Sequence, residues 1–397
     1  PHPQPLSPKG RGEKEDMSTT REALEAALAA DPDDVAAHAA YADLLIEAGD
    51  PRGEYIRLQL ALEDRNQPAD RLRAMEQEAF ALRREHEAEW LGPLAEFVLP
   101  KRGPSVGAMV ADNVEVTWRR GWVHGVRIER LTPKILRAVA GNPAGLLLQE
   151  LAILRANLLG LSELRYNPVA LALQSPTFRG LRRIELGSAE TWSFLALDDE
   201  YLALIENTRC LRQLTVRASH LNTPRIFATP LPQLQTLELT VVEVGFAFRV
   251  LAINSTFGQL RNLHLDIFEY VEGMDNPHGP GVTNLIDSDE LRIFFRSPHL
   301  RSLLYLGLRL PGFGDAGVDE LISSGMIARL KGLDLCRCEI TDDGAQELAA
   351  CPDVARLEYL HLDNNLLSPV GIEALAAVGV TVSDRQLFGG WDAAGET

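Results

Sequence analysis

The sequence is poor in cysteine, with four cysteines among 397 residues. So few cysteines cannot form a disulfide framework, and this predicts a reducing, cytoplasmic compartment. No apolar run reaches the roughly 20 residues that a membrane span needs. The first sixteen residues are rich in proline, glycine and charge and lack the apolar core of a signal peptide. These absences argue against a secreted or membrane-spanning protein.

Basic residues are also scarce relative to acidic ones. The chain has 39 Lys and Arg against 56 Asp and Glu, and its formal net charge is −17. Such a field repels nucleic acid and anionic membranes and favours a basic protein partner. The oligomeric state does not follow from the sequence.

Motifs of catalysis and phosphate binding are missing. There is no G-x-S-x-G sequence that would place a nucleophile on a sharp turn. The segment 49–54 contains two glycines but no Lys-Ser/Thr pair, and no strand is predicted before it. We therefore predict no catalytic residue and no cofactor.

Potential metal ligands do not converge. Cys336, Cys338 and Cys351 lack the usual four-ligand zinc spacing, and the side chains of Cys336 and Cys338 are expected on opposite sides of their strand. His264 and His361 occupy the same position of two repeats several strands apart, too far for one ion. The sequence therefore predicts no metal site.

Two C-terminal stretches instead reveal the architecture. LKGLDLCRCEI (Leu330–Ile340) and LEYLHLDNNLL (Leu357–Leu367) both fit L-x-x-L-x-L-x-x-(N/C)-x-(L/I), the pattern of a leucine-rich repeat. Related cores begin at Leu148, Leu181, Leu211, Leu234, Leu260 and Leu303. They predict an α/β fold, a curved solenoid with a parallel inner sheet and outer helices. The last repeats, about 27 residues long with a predicted helix each, resemble the ribonuclease-inhibitor-like class.

A small all-α domain is predicted before the solenoid. Thr20 is expected to cap a first helix, and Asp50 with Pro51 to start a third after Gly49 ends the second. The block from Asp31 to Glu63 resembles the bacterial repeat-companion domain through YAD (41–43), Glu47, GDPRGE (49–54) and IRLQ (56–59). That resemblance implies a bacterial protein of companion domain plus repeats, and no activity.

The predicted division of the chain has five parts. They are a disordered or non-native leader (1–16), the helical companion domain (17–100), a β-hairpin cap (101–130), the solenoid (131–388) and a tail (389–397). Met17 is the expected start. Trp118 and Trp122 in the hairpin are expected to pack at a junction rather than bind a ligand. An insertion at 269–290, rich in Gly, Pro and Asn, is expected to be either functional or disordered.

Alternation along each strand places the variable positions of the repeats on the concave face. This face is predicted to be basic in its early repeats and acidic, with tyrosines, in its late ones. Tyr and Arg are enriched at binding hot spots. The candidate protein-binding residues are Arg183, Arg212, Arg217, His264, Tyr305, Asp334, Glu358, Tyr359, His361 and Asp363.

Two functions remain open from the sequence. The first is a non-enzymatic protein-interaction module that binds a protein partner through the concave face. In the second, the solenoid is a structural scaffold or targeting subunit, and the helical companion domain recruits the partner or a separate enzyme. Arg52, Asp43 and Glu54 within the companion motif are expected to form local ion pairs that hold a helix corner.

Overall fold

The structure is a computed structural model that describes residues 8–99, 114–156, 175–188, 195–196, 199–242, 246–268 and 287–380. The chain divides into two compact units, Pro1–Leu181 and Arg182–Thr397. Most of the predicted insertion (269–286) and the whole predicted tail lie outside the described residues. No helix within the described ranges is long and apolar enough to cross a membrane.

The first unit begins with helices. They are α1 (Pro8–Ala30), α2 (Val35–Glu47), α3 (Pro51–Leu62), α4 (Ala69–Leu91), the short α5 (Ala95–Val98) and, after the hairpin, α6 (Pro133–Ala140). The predicted start of the first helix is wrong: α1 begins at Pro8, so Thr20 lies inside it rather than capping it. The helix therefore runs through part of the segment that was predicted to be a disordered or non-native leader.

Asp34 and Asp50 cap the next two helices, and the predicted start of α3 at Asp50 and Pro51 is confirmed. The Asp34 carboxylate accepts hydrogen bonds from two amides of the first turn of α2, at 2.9 and 3.0 Å. The Asp50 carboxylate accepts one from the Arg52 amide at 2.9 Å, and Pro51 occupies the first turn of α3. Between them Gly49 has a φ of +75°, which glycine adopts without a steric penalty.

An antiparallel hairpin follows the helices. Its strands are β1 (Val114–Arg119) and β2 (Trp122–Leu131), and the parallel partner of β2 is β3 (Glu150–Ala156). The connecting residues Arg120 and Gly121 have φ values of +48° and +75°. Two positive φ values are the conformation of a type I′ turn, whose twist matches that of the flanking strands.

The hairpin turn is held by α3. Arg52 is 5% exposed; its Nε donates to the Gly121 carbonyl at 2.8 Å, and its guanidinium lies 4.1 Å from the centroid of the Trp122 ring. The Gly121 amide donates to Gln59 Oε1 at 2.6 Å. Arg52 does not form the predicted local ion pair, because its side-chain contact is with a backbone carbonyl 69 residues away, whereas Glu54 does pair locally, with Arg57.

The two hairpin tryptophans pack inside this unit. Trp122 is 1% exposed, and its ring centroid lies 5.3 Å from that of Tyr41 on α2. Trp118 makes edge contacts with Tyr55 and Trp90, at 6.1 and 6.0 Å. The interpretation of both residues as packing aromatics is confirmed.

The second unit is a leucine-rich-repeat solenoid. Its strands are β4 (Arg183–Leu186), β5 (Leu195–Ala196), β6 (Gln213–His220), β7 (Thr236–Val242), β8 (Asn262–Phe268), β9 (Tyr305–Arg309), β10 (Gly332–Asp334) and β11 (Tyr359–His361). Its helices are α7 (Asp199–Glu206), α8 (Thr223–Ala228), α9 (Phe248–Ile253), α10 (Ser288–Phe295), α11 (Gly314–Ser323), α12 (Asp342–Ala350) and α13 (Pro369–Ala377).

Equivalent strand residues of this unit pair side by side. The strands β4, β6, β7, β8, β9, β10 and β11 are parallel neighbours in that order, with Leu214, Leu237, Leu263, Leu306, Leu333 and Leu360 in one register. These leucines are at most 6% exposed, because they point into the core shared with the helices. The predicted fold class, an α/β solenoid after a helical N-terminal region, is confirmed.

The turn after each of the last strands is built around one buried polar side chain. Asn365 Oδ1 accepts hydrogen bonds from the amides of Cys338 and Ile340 at 2.9 and 3.1 Å, and its Nδ2 donates to two carbonyls. Cys338 Sγ donates to the Leu308 carbonyl at 2.8 Å in the preceding repeat. The predicted inward role of the N/C position is confirmed.

Candidate functional site

The concave face of the second unit carries the side chains that alternate with the core leucines. Strand register aligns them in three rows, exemplified by Asn262 beside Tyr305, His264 beside Gly307, and Asp266 beside Arg309. The rows surround a cavity of about 890 Å³, a size typical of ligand or peptide sites. It is lined by Ser188, Arg217, Glu238, Thr240, Asn262, Leu263, His264, Asp266, Tyr305, Leu306, Gly307, Arg309, Asp334, Cys336, Arg337, Tyr359, His361, Asp363 and Asn364.

Most of the predicted binding residues come together here. The cavity is lined by Arg217, His264, Tyr305, Asp334, Tyr359, His361 and Asp363. Arg183, Arg212 and Glu358 are not among its lining residues. Arg212 and Glu358 directly precede their strands, where the alternation that orients the strand side chains does not yet hold. Glu358 nevertheless touches the site, because its Oε2 accepts a hydrogen bond from Tyr305 Oη at 3.2 Å.

A network of four charged side chains lies on the cavity floor. Arg309 Nη2 donates to Asp334 Oδ2 at 2.7 Å, and Arg309 Nη1 lies 3.8 Å from Asp266 Oδ2. Arg337 Nη2 lies 2.8 and 2.9 Å from the two oxygens of Asp266. The carboxylates of Asp266 and Asp334 are 6% and 7% exposed. Because they are buried and bonded to the two arginines, they are poorly available to a ligand.

This network shifts the titration of the groups within it. Although burial opposes the change, the hydrogen bond from Arg309 lowers the pKa of Asp334 and keeps this carboxylate ionised. Burial, together with the positive charge of Arg309, lowers the pKa of His264. The floor thus holds ion pairs and a histidine that favours its neutral form.

The concave face was predicted to change from basic to acidic along the repeats, but at this floor the acids are largely neutralised by arginines. Asp334, one of the acids expected to make the late repeats negative, is paired with Arg309, and Asp266 is paired with Arg337. Sequence reasoning missed Arg337, which follows β10 in a turn and has a φ of +58°. Such a conformation is unusual for a side chain as long as arginine. In the sequence, Arg337 is marked only by its position next to Cys338, whose side chain was predicted to turn inward.

Three aromatic side chains project from the late repeats, and we name Tyr305, Tyr359 and His361 the aromatic ladder. The rings of Tyr305 and Tyr359 have centroids 6.2 Å apart and planes within 13°. The His361 ring stacks on Tyr359 at 4.7 Å and 30°. Tyr359 is 37% exposed, and His361 is exposed as well. The ladder is the largest aromatic surface that the cavity presents.

Cysteines and histidines of the site do not assemble into a metal centre. Among the residues that the structure describes, no group of three or more His, Cys, Asp or Glu side chains could hold a metal ion. Cys336 lines the cavity, whereas Cys338 is fully buried on the core side. Burial, followed by the charge of Asp334, raises the pKa of Cys336 to about 12, so the thiol stays protonated at neutral pH.

No protein-family model and no curated protein matches this chain. Its fold is similar to that of a Bacteroides fragilis protein, at 15% identity over 63% of this chain and 69% of that one, with a TM-score of 0.45. It is also similar to an internalin from Listeria monocytogenes, at 13% identity over 64% of this chain and 70% of that one, with a TM-score of 0.33. Both likenesses are too low to assign a function to this chain.

Proposed function

We propose that this chain is a non-enzymatic protein-interaction module, and that the concave face of its solenoid binds a protein partner. The observation that carries the proposal is the aromatic ladder, with Tyr359 and His361 exposed and Tyr305 half-buried, beside a floor of charged groups held in fixed geometry. Exposed tyrosines next to charges that are already ordered lose little conformational entropy on binding. The buried, protonated Cys336 supports a surface without nucleophilic chemistry.

The rival proposal, recruitment by the helical domain, has one observation in its favour. Phe80 on α4 is a large aromatic side chain that is 57% exposed. Against it, the motif residues Arg52 and Gln59 are occupied by the Gly121 turn of the same unit. The part of the helical domain with the most distinctive sequence therefore holds its own hairpin, which favours the concave face as the binding surface.

Several finer assignments belong to this proposal. We assign the helical region to the repeat-companion type and the last repeats to the ribonuclease-inhibitor-like type, since α11, α12 and α13 are regular helices that follow successive strands. The division at 17–100, 101–130 and 131–388 remains part of the proposal. All four cysteines are free thiols, which supports a reducing, cytoplasmic location. The bacterial origin rests on the resemblance to the repeat-companion domain. The net charge of −17 supports a basic partner.

A capture experiment tests the proposal. Immobilised chain is incubated with lysate of the organism that encodes it, and the double variant Tyr305→Ala/Tyr359→Ala is compared with Phe80→Ala. We expect the tyrosine variant to lose a partner that the phenylalanine variant retains. The opposite pattern would establish the helical domain as the recruiting element. Point variants are preferable to deletion of 17–100, because Trp122 packs on Tyr41 and would lose its cover.

A further inference from the structure

The aromatic ladder depends on a missing side chain. Gly332 lies in register between Tyr305 and Tyr359 on the neighbouring strands. A Cβ atom at Gly332 would collide with the ring of Tyr359. The ring therefore occupies the space that a side chain of β10 would fill, and the ladder extends across three strands.

Two carboxylates lie near the ladder, and the one within reach of a ligand is Glu358, because Asp334 is held by Arg309. Glu358 accepts a hydrogen bond from the Tyr305 hydroxyl, and Asp334 lies on the adjacent strand. Burial, followed by the negative charges around it, including Asp334 and Glu358, raises the pKa of Tyr359. Burial is the larger cause of this pKa shift, and the neighbouring carboxylates add to it.

The cations of the site differ in how firmly they are held. Arg309 and Arg337 are bonded to the buried carboxylates of the floor. Lys331 pairs with Glu358 at 3.2 Å, but both side chains are more than half exposed. An exposed pair of this kind is weak and exchanges readily. Lys331 is thus a weakly held ammonium group beside the ladder.

We infer that the aromatic ladder and Glu358 form a subsite for one basic side chain, arginine or lysine, of the protein partner. This inference rests on the proposed function. A guanidinium or ammonium group stacks favourably on tyrosine rings, and arginine also stacks through its planar guanidinium. Glu358 supplies the counter-charge once Lys331 has moved aside. The ligand cation takes the place that the chain's own lysine occupies in the free state.

A selection with random peptides tests this chemistry without knowledge of the partner. A displayed dodecapeptide library is selected on the wild-type chain, and binders that are lost on Tyr305→Ala/Tyr359→Ala are sequenced. We expect these ladder-dependent peptides to be enriched in arginine and lysine. Replacing the essential arginine of a selected peptide by citrulline, its neutral isostere, is expected to weaken binding roughly tenfold.

Charge variants of the chain provide the second arm. Glu358→Gln is expected to weaken the selected peptide severalfold. Lys331→Gln is expected to strengthen it, because the competing ammonium group is gone. Glu373→Gln, the same change on an exposed residue of α13, is the matched control and is expected to leave binding unchanged. Circular dichroism of each variant establishes that it is folded.

The outcomes separate the two proposals. If no selected peptide depends on the ladder, the concave face is not the binding surface and the proposed function fails with the inference. If ladder-dependent peptides are acidic or neutral, or if Lys331→Gln weakens them, the inference fails while the proposed function stands. Enrichment of basic residues together with a gain from Lys331→Gln supports both.

Discussion

The glycine of the hairpin turn offers a sharp test of how the first unit is held together. Gly121 and Gly49 both have a φ of +75°, but their surroundings differ. A Cβ atom on Gly121 would collide with Cγ1 of Ile56, whereas nothing lies within 4 Å of a Cβ atom on Gly49. Alanine at either position therefore meets the same backbone penalty, and only alanine at 121 meets a steric one.

The magnitudes follow from these two contributions. Alanine in the left-handed region costs about 1–2 kcal/mol at both positions, partly offset by about 0.4–1 kcal/mol from the stiffer unfolded chain. Overpacking against Ile56, which is fully buried, adds about 1–3 kcal/mol at position 121 only. We therefore expect Gly121→Ala to lower the free energy of unfolding by about 1–3 kcal/mol more than Gly49→Ala.

Urea unfolding followed by tryptophan fluorescence measures this difference, because Trp90, Trp118 and Trp122 all lie in the first unit. In an Ile56→Ala background the colliding atom is absent, so Gly121→Ala is expected to lose most of its extra effect. Equal losses for the two glycine variants, with no coupling to position 56, would refute the close contact between the hairpin turn and α3.

Three further predictions concern single side chains. Asn365→Ala removes four hydrogen bonds to buried backbone groups and is expected to cost about 3–5 kcal/mol in urea unfolding, whereas Asn364→Gly is expected to be near neutral. Asp342→Ala removes a carboxylate that accepts hydrogen bonds from the start of the next repeat's helix, and it is expected to lower the free energy of unfolding by about 1–3 kcal/mol. Asp343→Ala, at the exposed neighbouring position, is the control. Equal losses for the two variants would contradict a role for the Asp342 hydrogen bonds. Burial lowers the pKa of His38, and nearby arginine charges add to this effect. The unfolded chain therefore takes up the proton first, and stability is expected to decline as pH falls below about 6.5; an unchanged slope in His38→Gln would contradict this assignment.

The architecture could be predicted because its causes are local and repeated. Each strand core places leucines on one face, and stacking of equal cores follows from that pattern alone. The cap at Asp50 was equally accessible, since capping depends on residues two or three positions away. The start of α1 could not be predicted, because Thr20 is a good cap and nothing local indicates that the helix begins earlier, at Pro8.

Contacts between distant segments could not be predicted in this way. Arg52 lies in a motif crowded with acids, so local ion pairs were the natural expectation. Its actual partner is a carbonyl in a hairpin turn that only the folded chain brings near. Arg337 was missed for the same reason: its guanidinium reaches Asp266, 71 residues earlier in the chain. Sequence position gives the face of a strand, but not which charge on that face is already paired.

This pairing changes what the net charge means for binding. The acids at the floor, Asp266 and Asp334, are held by arginines of the same chain and attract a ligand weakly. For the basic partner that we propose, the charge of −17 therefore acts mainly over long range, by steering that partner toward the chain. In our proposal, selectivity at short range comes from the aromatic ladder and Glu358. Added salt is then expected to slow association more than it speeds dissociation, because screening weakens steering more than it weakens stacking on Tyr359.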